Sequence, residues 1–366
     1  MYFKEIKKSL KSEFNNFFDK IIKVDNHSSK ETSSEARNKI NPKVFIEINN
    51  AINEVIYKTH NQNNLWKGYR VLSIDESDIK IPNTEALKDE YRQNESENEI
   101  TVKAKVGCIF NVVNNIILSS KIDNCKVSKQ HMAKEMISEI LKKSKENDLI
   151  LFGKGYYSKE LLSFLKENNV NFLLRLSEKD IKEMTIMNKS DQIIPIDYNQ
   201  KFCKVRVLRF KVSASEEEIL ITNLSKKKLR IQNFMELFYM RWGKEITYNE
   251  LRNRVIIENF TGTTKITIEQ DFYAMIYLFN MIEMTERRCG YHRDSLNIVS
   301  RNKQKINFNI TIGVLKEKLI EVMLEKSETK RSIMFKEIIL QIKREVLLKQ
   351  NVDNPWDKEE VKYFKN

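Results

Sequence analysis

The spacing of apolar positions changes several times along this 366-residue chain. Residues 1–66 carry them mostly at helical intervals, with a polar break at NHSSKETSS (26–34), where Ser33 or Ser34 is placed to cap the helix that follows. From Tyr69 the period shortens. YRVLSID reads as a short strand ending at Asp75, and TVKAKVGCIFNVVNNIILSSKID as two β-branched strands joined by a turn at Asn114–Asn115. Residues 128–147 return to helical spacing. LILFG (149–153) is a continuous apolar run of strand length, SKELLSFLKENN is helical, and NVNFLLRL (169–176) is strand-like again. Three neighbouring strands followed by helix, strand, helix and strand predict an α/β core with a mixed sheet, although the pattern alone allows several such arrangements.

Beyond that core, FCKVRVLRFKVS and EEEILITNL are strand-like with little helical signal between them, so residues 180–228 read as a β-rich insertion. ELFYMRWGKEITYNELRNRVIIENFTG is helical, and IEQDFYAMIYLFNMIEM predicts a long apolar helix whose aromatic residues belong to the core. The tail from Arg301 is lysine-rich and amphipathic. The expected organisation is therefore a helical region over 1–66, a core in two parts over 67–179 and 229–300 around the insertion, and a basic helical region over 301–366.

Composition narrows the functional classes. A hydrophobic content of 41% with 19 Phe and 13 Tyr is that of a globular chain. The formal net charge of +13 points to a polyanionic partner, most simply nucleic acid, without singling it out. Cys108, Cys125, Cys203 and Cys289 are far apart and form no CxxC pair, and the four histidines are equally scattered, which argues against a zinc site or a disulfide framework. The cysteines read as small buried hydrophobes. No apolar run has transmembrane length, and the charged start MYFKEIKKSLKSEF is not a signal peptide, so a cytoplasmic protein without a membrane partner is expected. With 8 Gly and 4 Pro there is no glycine-rich loop to cradle a nucleotide's phosphates.

Candidate chemistry gathers on one helix. Phe238, Arg241, Glu245 and Arg252 are three, four and seven residues apart, which places them within roughly 60° of one another on a helix. A carboxylate flanked by guanidinium groups suits a site that handles phosphate and metal together. Spacing alone favours a plainer reading. An Arg and a Glu four apart on an exposed helix contribute only a few tenths of a kcal/mol, and Met235, Phe238, Tyr239 and Trp242 can be a packed stripe. Asp75, taken alone, is a residue that begins a turn.

The three segments together resemble the insertion-sequence transposases of the IS4 type, over nearly the whole chain. The signature of those enzymes is Tyr, Arg, Glu and Lys at these helical spacings; Arg241 and Glu245 match it, Arg252 stands for Lys and Phe238 for Tyr. LSIDESDIKIP resembles the family's first catalytic strand and its Asp-Gly-Ser run, with Glu76 replacing the Gly. FGKGYYS resembles the family's Phe-Asp-Arg-Gly-Tyr at the end of the fourth strand, but the aspartate position holds Gly153.

The resemblance implies a ribonuclease-H-like fold, with Asp75 and Glu245 as ligands of a two-ion Mg²⁺ site. Arg241, Arg252 and Lys154 would grip phosphates, with Phe238 beside them lacking the usual phenolic hydroxyl. It further implies a DDE-class transposase that cuts double-stranded DNA at element ends and joins it to target DNA, as a homodimer associated with the nucleoid. Two ions about 4 Å apart require carboxylates converging from separate elements, and glycine supplies none, so weakened or absent cleavage is expected. A substitute is not evident. Asp148 lies five residues earlier, about 16 Å along an extended strand; Glu146 is further, Glu76 alternates to the other face if the strand continues, and Asp78 and Glu160 have no reason to reach in. The N-terminal region, which in the family recognises element ends, is expected to be truncated. A cleavage-dead DNA-binding protein or transposition inhibitor, a non-functional pseudogene product, and an RNA-associated basic protein stay as alternatives.

Overall fold

The computed structural model describes residues 30–59, 65–96, 99–143, 147–183, 189–198, 201–212, 217–238, 260–289 and 304–348. Two compact units divide the chain, Met1–Met284 and Thr285–Asn366.

In the first unit a nine-stranded sheet is built from β1 (Arg70–Ile81), β2 (Arg92–Ser96), β3 (Glu99–Asn111), β4 (Ile116–Asn124), β5 (Asp148–Phe152), β6 (Asn171–Arg175), β7 (Asp191–Tyr198), β8 (Lys201–Lys211) and β9 (Glu217–Thr222). The strands lie in the order β2-β3-β1-β5-β6-β9-β8-β7, with β4 also paired to β3. β1, β3 and β4 form an antiparallel meander. β5 runs parallel to β1 on its other side, and β6 parallel to β5. Without β2 and the last three strands, this is the ribonuclease-H-like arrangement. The strands of residues 191–222 join the same sheet, because β9 pairs antiparallel with β6 and β8 with β9.

Several local features follow from sequence. Asn111 Oδ1 accepts hydrogen bonds from the Val113 and Asn114 amides, and Asn115 adopts a φ of +50°, so the NVVNN segment turns β3 into β4. β1 does not end at Asp75 as expected; it continues to Ile81 because β3 is long enough to pair with it throughout, Asp75 opposite Cys108 and Ile81 opposite Val102. Ser33 and Ser34 do not cap a helix but lie inside α1 (Lys30–Asn38). Cys125 is only partly buried, and its thiol donates to the Lys103 carbonyl; Cys108 and Cys289 are buried as expected.

Helices cover both faces. After α2 (Lys43–Thr59) and the short α3 (Glu85–Glu90), α4 (Lys129–Lys143) and α5 (Lys159–Glu167) enclose a core with Leu72, Ile74, Phe152 and Phe172. Gly107 lets α4 approach β3, because a Cβ there would lie 2.6 Å from Met132 Sδ. A short helix, α6 (Glu178–Glu183), precedes β7. On the opposite face α7 (residues 231–238) places Phe234, Leu237 and Phe238 against Val71, Leu151, Leu173 and Leu220.

The long helix α8 (Lys265–Arg288) is anchored from within the first unit. Asn280 accepts from the Ile117 amide at 2.8 Å and donates to the Ile117 carbonyl at 2.8 Å and to Asn49 of α2 at 2.7 Å. Of its aromatic residues, Phe272 and Phe279 are fully buried, as the sequence suggested, whereas Tyr273 and Tyr277 are only partly buried. In the second unit, α9 (Phe308–Leu324) and α10 (Glu328–Arg344) pack together, and Gln304–Ile306 pairs antiparallel with Val346–Leu348. No described helix is long and apolar enough to cross a membrane.

Candidate active site at the strand ends

Parallel pairing of β1 with β5 sets Ile74 beside Phe152, so Asp75 and Gly153 follow side by side where the two strands leave the ladder. Adjacent strands are about 4.8 Å apart, close enough for side chains at these two positions to share a ligand. Asp75 is half-buried and Gly153 buried. The Asp75 carboxylate accepts from the Glu76 amide at 3.0 Å. Across β3, burial and then the Asp75 charge push the Cys108 thiol well above its ordinary pKa, so this cysteine stays protonated.

Alternation along the strands decides which groups meet. Ile74 and Phe152 point into the core under α4 and α5. Asp75 and Gly153 therefore share the face of Val71, Leu151 and Leu173, on which α7 packs. Glu76 points the other way and pairs with Lys129 of α4, Nζ to Oε1 2.8 Å.

The neighbouring strand ends bring two further residues to this edge. Arg175 follows Leu174, the register partner of Phe152, and stands next to the Gly153 position. Arg175 Nε donates to Glu218 Oε2 of β9 at 2.5 Å, and Nη2 donates to Oε1 of the same carboxylate. Lys154 Nζ lies 3.5 Å from Glu218 Oε1. The Arg175 guanidinium also sits 5.5 Å over the ring of Phe238, which meets Phe210 edge-on at 5.7 Å. The Glu218 side chain is 1% exposed and Lys154 is 49% exposed. The edge thus holds a buried carboxylate with two cations on it, the outer one facing water.

Among the residues singled out from sequence, Asp75, Gly153, Lys154 and Phe238 come together on this edge or the face beneath it. Phe238 is buried and presents no surface for direct contact with a ligand; its ring supports Arg175. Arg241, Glu245 and Arg252 lie outside the described residues, as does Glu146.

The other substitute carboxylates are elsewhere. Asp148 sits at the opposite end of β5, buried against Arg70. Asp78 is exposed further along β1, on the face of Glu76. Glu160 is bound to Lys134 on the surface at 2.5 Å, and that hydrogen bond holds its carboxyl below the usual carboxylate range. Sequence reasoning missed Arg175 and Glu218. The signal for the first was an arginine ending the buried apolar run FLL; Glu218 in EEEILI had none, because its partner is 43 residues away.

These residues do not fit a two-metal site. Gly153 offers no donor, and the Glu218 carboxylate is already engaged by Arg175 and Lys154. Among the described residues no group of three or more His, Cys, Asp or Glu side chains could hold a metal ion.

Comparison with known proteins finds a family. A family model described as a transposase DDE domain matches residues 66–281. The chain is similar to the transposase InsG for insertion sequence element IS4 of Escherichia coli (strain K12), 21% identical over 254 residues that cover 63% of this chain and 57% of that protein. The chain therefore spans just over half the length of that curated relative. Among solved structures it is similar to a piggyBac transposase synaptic complex with hairpin DNA, at a TM-score of 0.41 and 11% identity, covering 80% of this chain and 61% of that one. A Ciona intestinalis endonuclease V in complex with DNA gives a TM-score of 0.23 and 9% identity, over 53% of this chain and 83% of that one.

Proposed function

The chain belongs to the transposase DDE domain family, and we propose that it is a DDE-class transposase of the insertion-sequence type whose strand-cleaving centre is impaired. Enzymes of this family work with divalent metal ions, and Mg²⁺ is the ion expected here. The observation that carries the reading is the juxtaposition of Asp75 and Gly153 where the pairing of β1 with β5 ends, a place where two-ion phosphodiester chemistry needs a carboxylate on each strand. Asp75 and Glu245 are the remaining ligands of that site. Arg241, Arg252 and Lys154 grip phosphates of double-stranded DNA at element ends and target, and Phe238 acts by holding Arg175 in place. A homodimer on DNA in the cytoplasm, at the nucleoid, follows from the same reading.

The cations at the strand ends favour a second reading. A chain that keeps Lys154 and Arg175 but lacks the second carboxylate retains the means to hold DNA after losing the means to cut it. Such a protein acts as a DNA binder or as an inhibitor of active copies.

Nicking of supercoiled DNA in Mg²⁺ and Mn²⁺ tests the assignment, comparing the chain with Gly153→Asp and with Gly153→Asp/Glu245→Ala. Cleavage by Gly153→Asp alone supports it. Cleavage by the unaltered chain overturns the role given to Gly153, and absence of cleavage by every variant, all folded, overturns the assignment of Asp75 and Glu245.

A further inference from the structure

We propose that the strand-end edge of this chain binds a DNA phosphate without a divalent ion, through Lys154 backed by Arg175, and that glycine at position 153 is what opens it to the anion. The inference rests on the reading of DNA as the partner. It starts from the misfit between the edge and a metal pair.

Three observations support it. First, Gly153 stands between Asp75 on β1 and Arg175 on β6, so it separates the acidic part of the edge from the cationic part. An aspartate here would add a negative charge within a few ångströms of both cations, and phosphate would enter against it unless a metal ion neutralised the carboxylates. With glycine that added repulsion is absent, only the Asp75 carboxylate on the far side of the edge opposes the anion, and Lys154 can meet it without a metal. Second, Glu218 is almost fully buried, while the Lys154 side chain that reaches it is half exposed. The carboxylate therefore positions the lysine from beneath, and the positive end of the pair faces solvent. Third, the Arg175 guanidinium is held along its Nε and Nη2 edge by Glu218 and has the Phe238 ring 5.5 Å from its central carbon. Its charge offsets that of Glu218, which leaves Lys154 as the cation that meets the anion.

The edge thus differs from a metal-dependent one in a measurable way: its affinity for DNA does not depend on divalent ions. Fluorescence anisotropy with a short labelled duplex, in EDTA and then in Ca²⁺, reads this directly. The unaltered chain is expected to bind equally in both. Gly153→Asp is expected to bind about tenfold more weakly in EDTA and to recover in Ca²⁺. Gly153→Asn, with the same bulk and no charge, is expected to behave as the unaltered chain. Lys154→Gln is expected to weaken binding by the unaltered chain and to reduce its salt slope by about one.

Equal affinity of the chain and Gly153→Asp in EDTA overturns the proposal, and so does a Gly153→Asn variant as weak as Gly153→Asp, since bulk would then be the cause. If no variant binds duplex DNA under any condition, the DNA reading fails together with the inference. If the chain binds but is indifferent to Lys154→Gln, the inference fails together with the phosphate role of Lys154, while DNA stands as the partner.

Discussion

Where β1 and β5 begin, Arg70 and Asp148 face each other in register, joined by hydrogen bonds of 2.6 and 2.8 Å; where the pairing of the two strands ends, Arg175 of β6 and Glu218 of β9 are joined in the same two-pronged way beside a glycine. The first pair is enclosed, with both side chains about 5% exposed and the Tyr57 ring 5.6 Å from the guanidinium. The second has an additional lysine that opens onto solvent. A buried pair of equal and opposite charges loses much of its Coulomb energy to desolvation, and what it secures is position. The Arg70–Asp148 pair fixes the relative register of β1 and β5, and with it the meeting of Asp75 and Gly153 five residues on. An extra cation with water on one side keeps a field that a ligand can feel. Paired charge thus serves alignment at one end of the sheet and, on the proposed reading, recognition at the other.

Asp148→Ala gives the largest effect that would sharpen this contrast. It leaves the Arg70 guanidinium buried without its carboxylate, and urea unfolding should show a loss of about 3–5 kcal/mol. A loss of under about 1 kcal/mol would make this pair no better than a surface one. Glu218→Gln keeps the shape of the second site and removes its negative charge. The expected cost is about 1.5–3 kcal/mol, from weakened hydrogen bonds to a charged group. Duplex affinity should rise in the same variant, because Lys154 loses its counter-ion. A variant that loses stability but gains no affinity would break the assignment of recognition to this end.

A pH titration separates the ends more finely. Burial pushes the Tyr57 hydroxyl above its ordinary 10.0, against the opposing pull of Arg70. Above pH 10 the unfolded chain therefore releases a proton that the folded chain keeps, so stability falls as pH rises from there. Tyr57→Phe should flatten that alkaline decline at the cost of the hydrogen bond that Asn111 donates to the hydroxyl at 2.6 Å. An unchanged alkaline slope would remove Tyr57 from the enclosed end. The smallest effect is expected at the exposed Lys134–Glu160 pair, where Lys134→Ala should cost about 0.5 kcal/mol or less in the same urea assay. A larger loss there would mean that enclosure is not what distinguishes the pairs.

Much of this arrangement is legible in the chain. The apolar run before Asp75, the β-branched residues after Thr101 and the turn at Asn114–Asn115 gave the meander, and the apolar runs at 149–153 and 169–176 gave the parallel strands. Motif order then identified Asp75 and Gly153 as neighbours across strands that are 78 residues apart at their Arg70 and Asp148 ends. The continuation of β1 past Asp75 was not legible, because SDIKIP looks like the start of a turn and only its pairing with β3 makes it strand. Nor was the attachment of β9 to β6, which is a pairing between distant segments with no local signature. Glu218 could not be found for that reason: a glutamate at the head of EEEILI looks solvent-facing until β9 is laid beside Arg175. Phe238 was legible as a packed residue from its apolar neighbours, but its stacking under Arg175 depends on the same sheet register.

The central claim is that Gly153 leaves the strand ends without their second metal donor. Mn²⁺ titration followed by electron paramagnetic resonance, on this chain beside its Gly153→Asp variant, tests it most directly. Binding by the variant is expected to be at least about tenfold tighter than by the unaltered chain. Equal affinity, lost from both on Asp75→Asn, would contradict it, because another group would then be supplying the missing carboxylate.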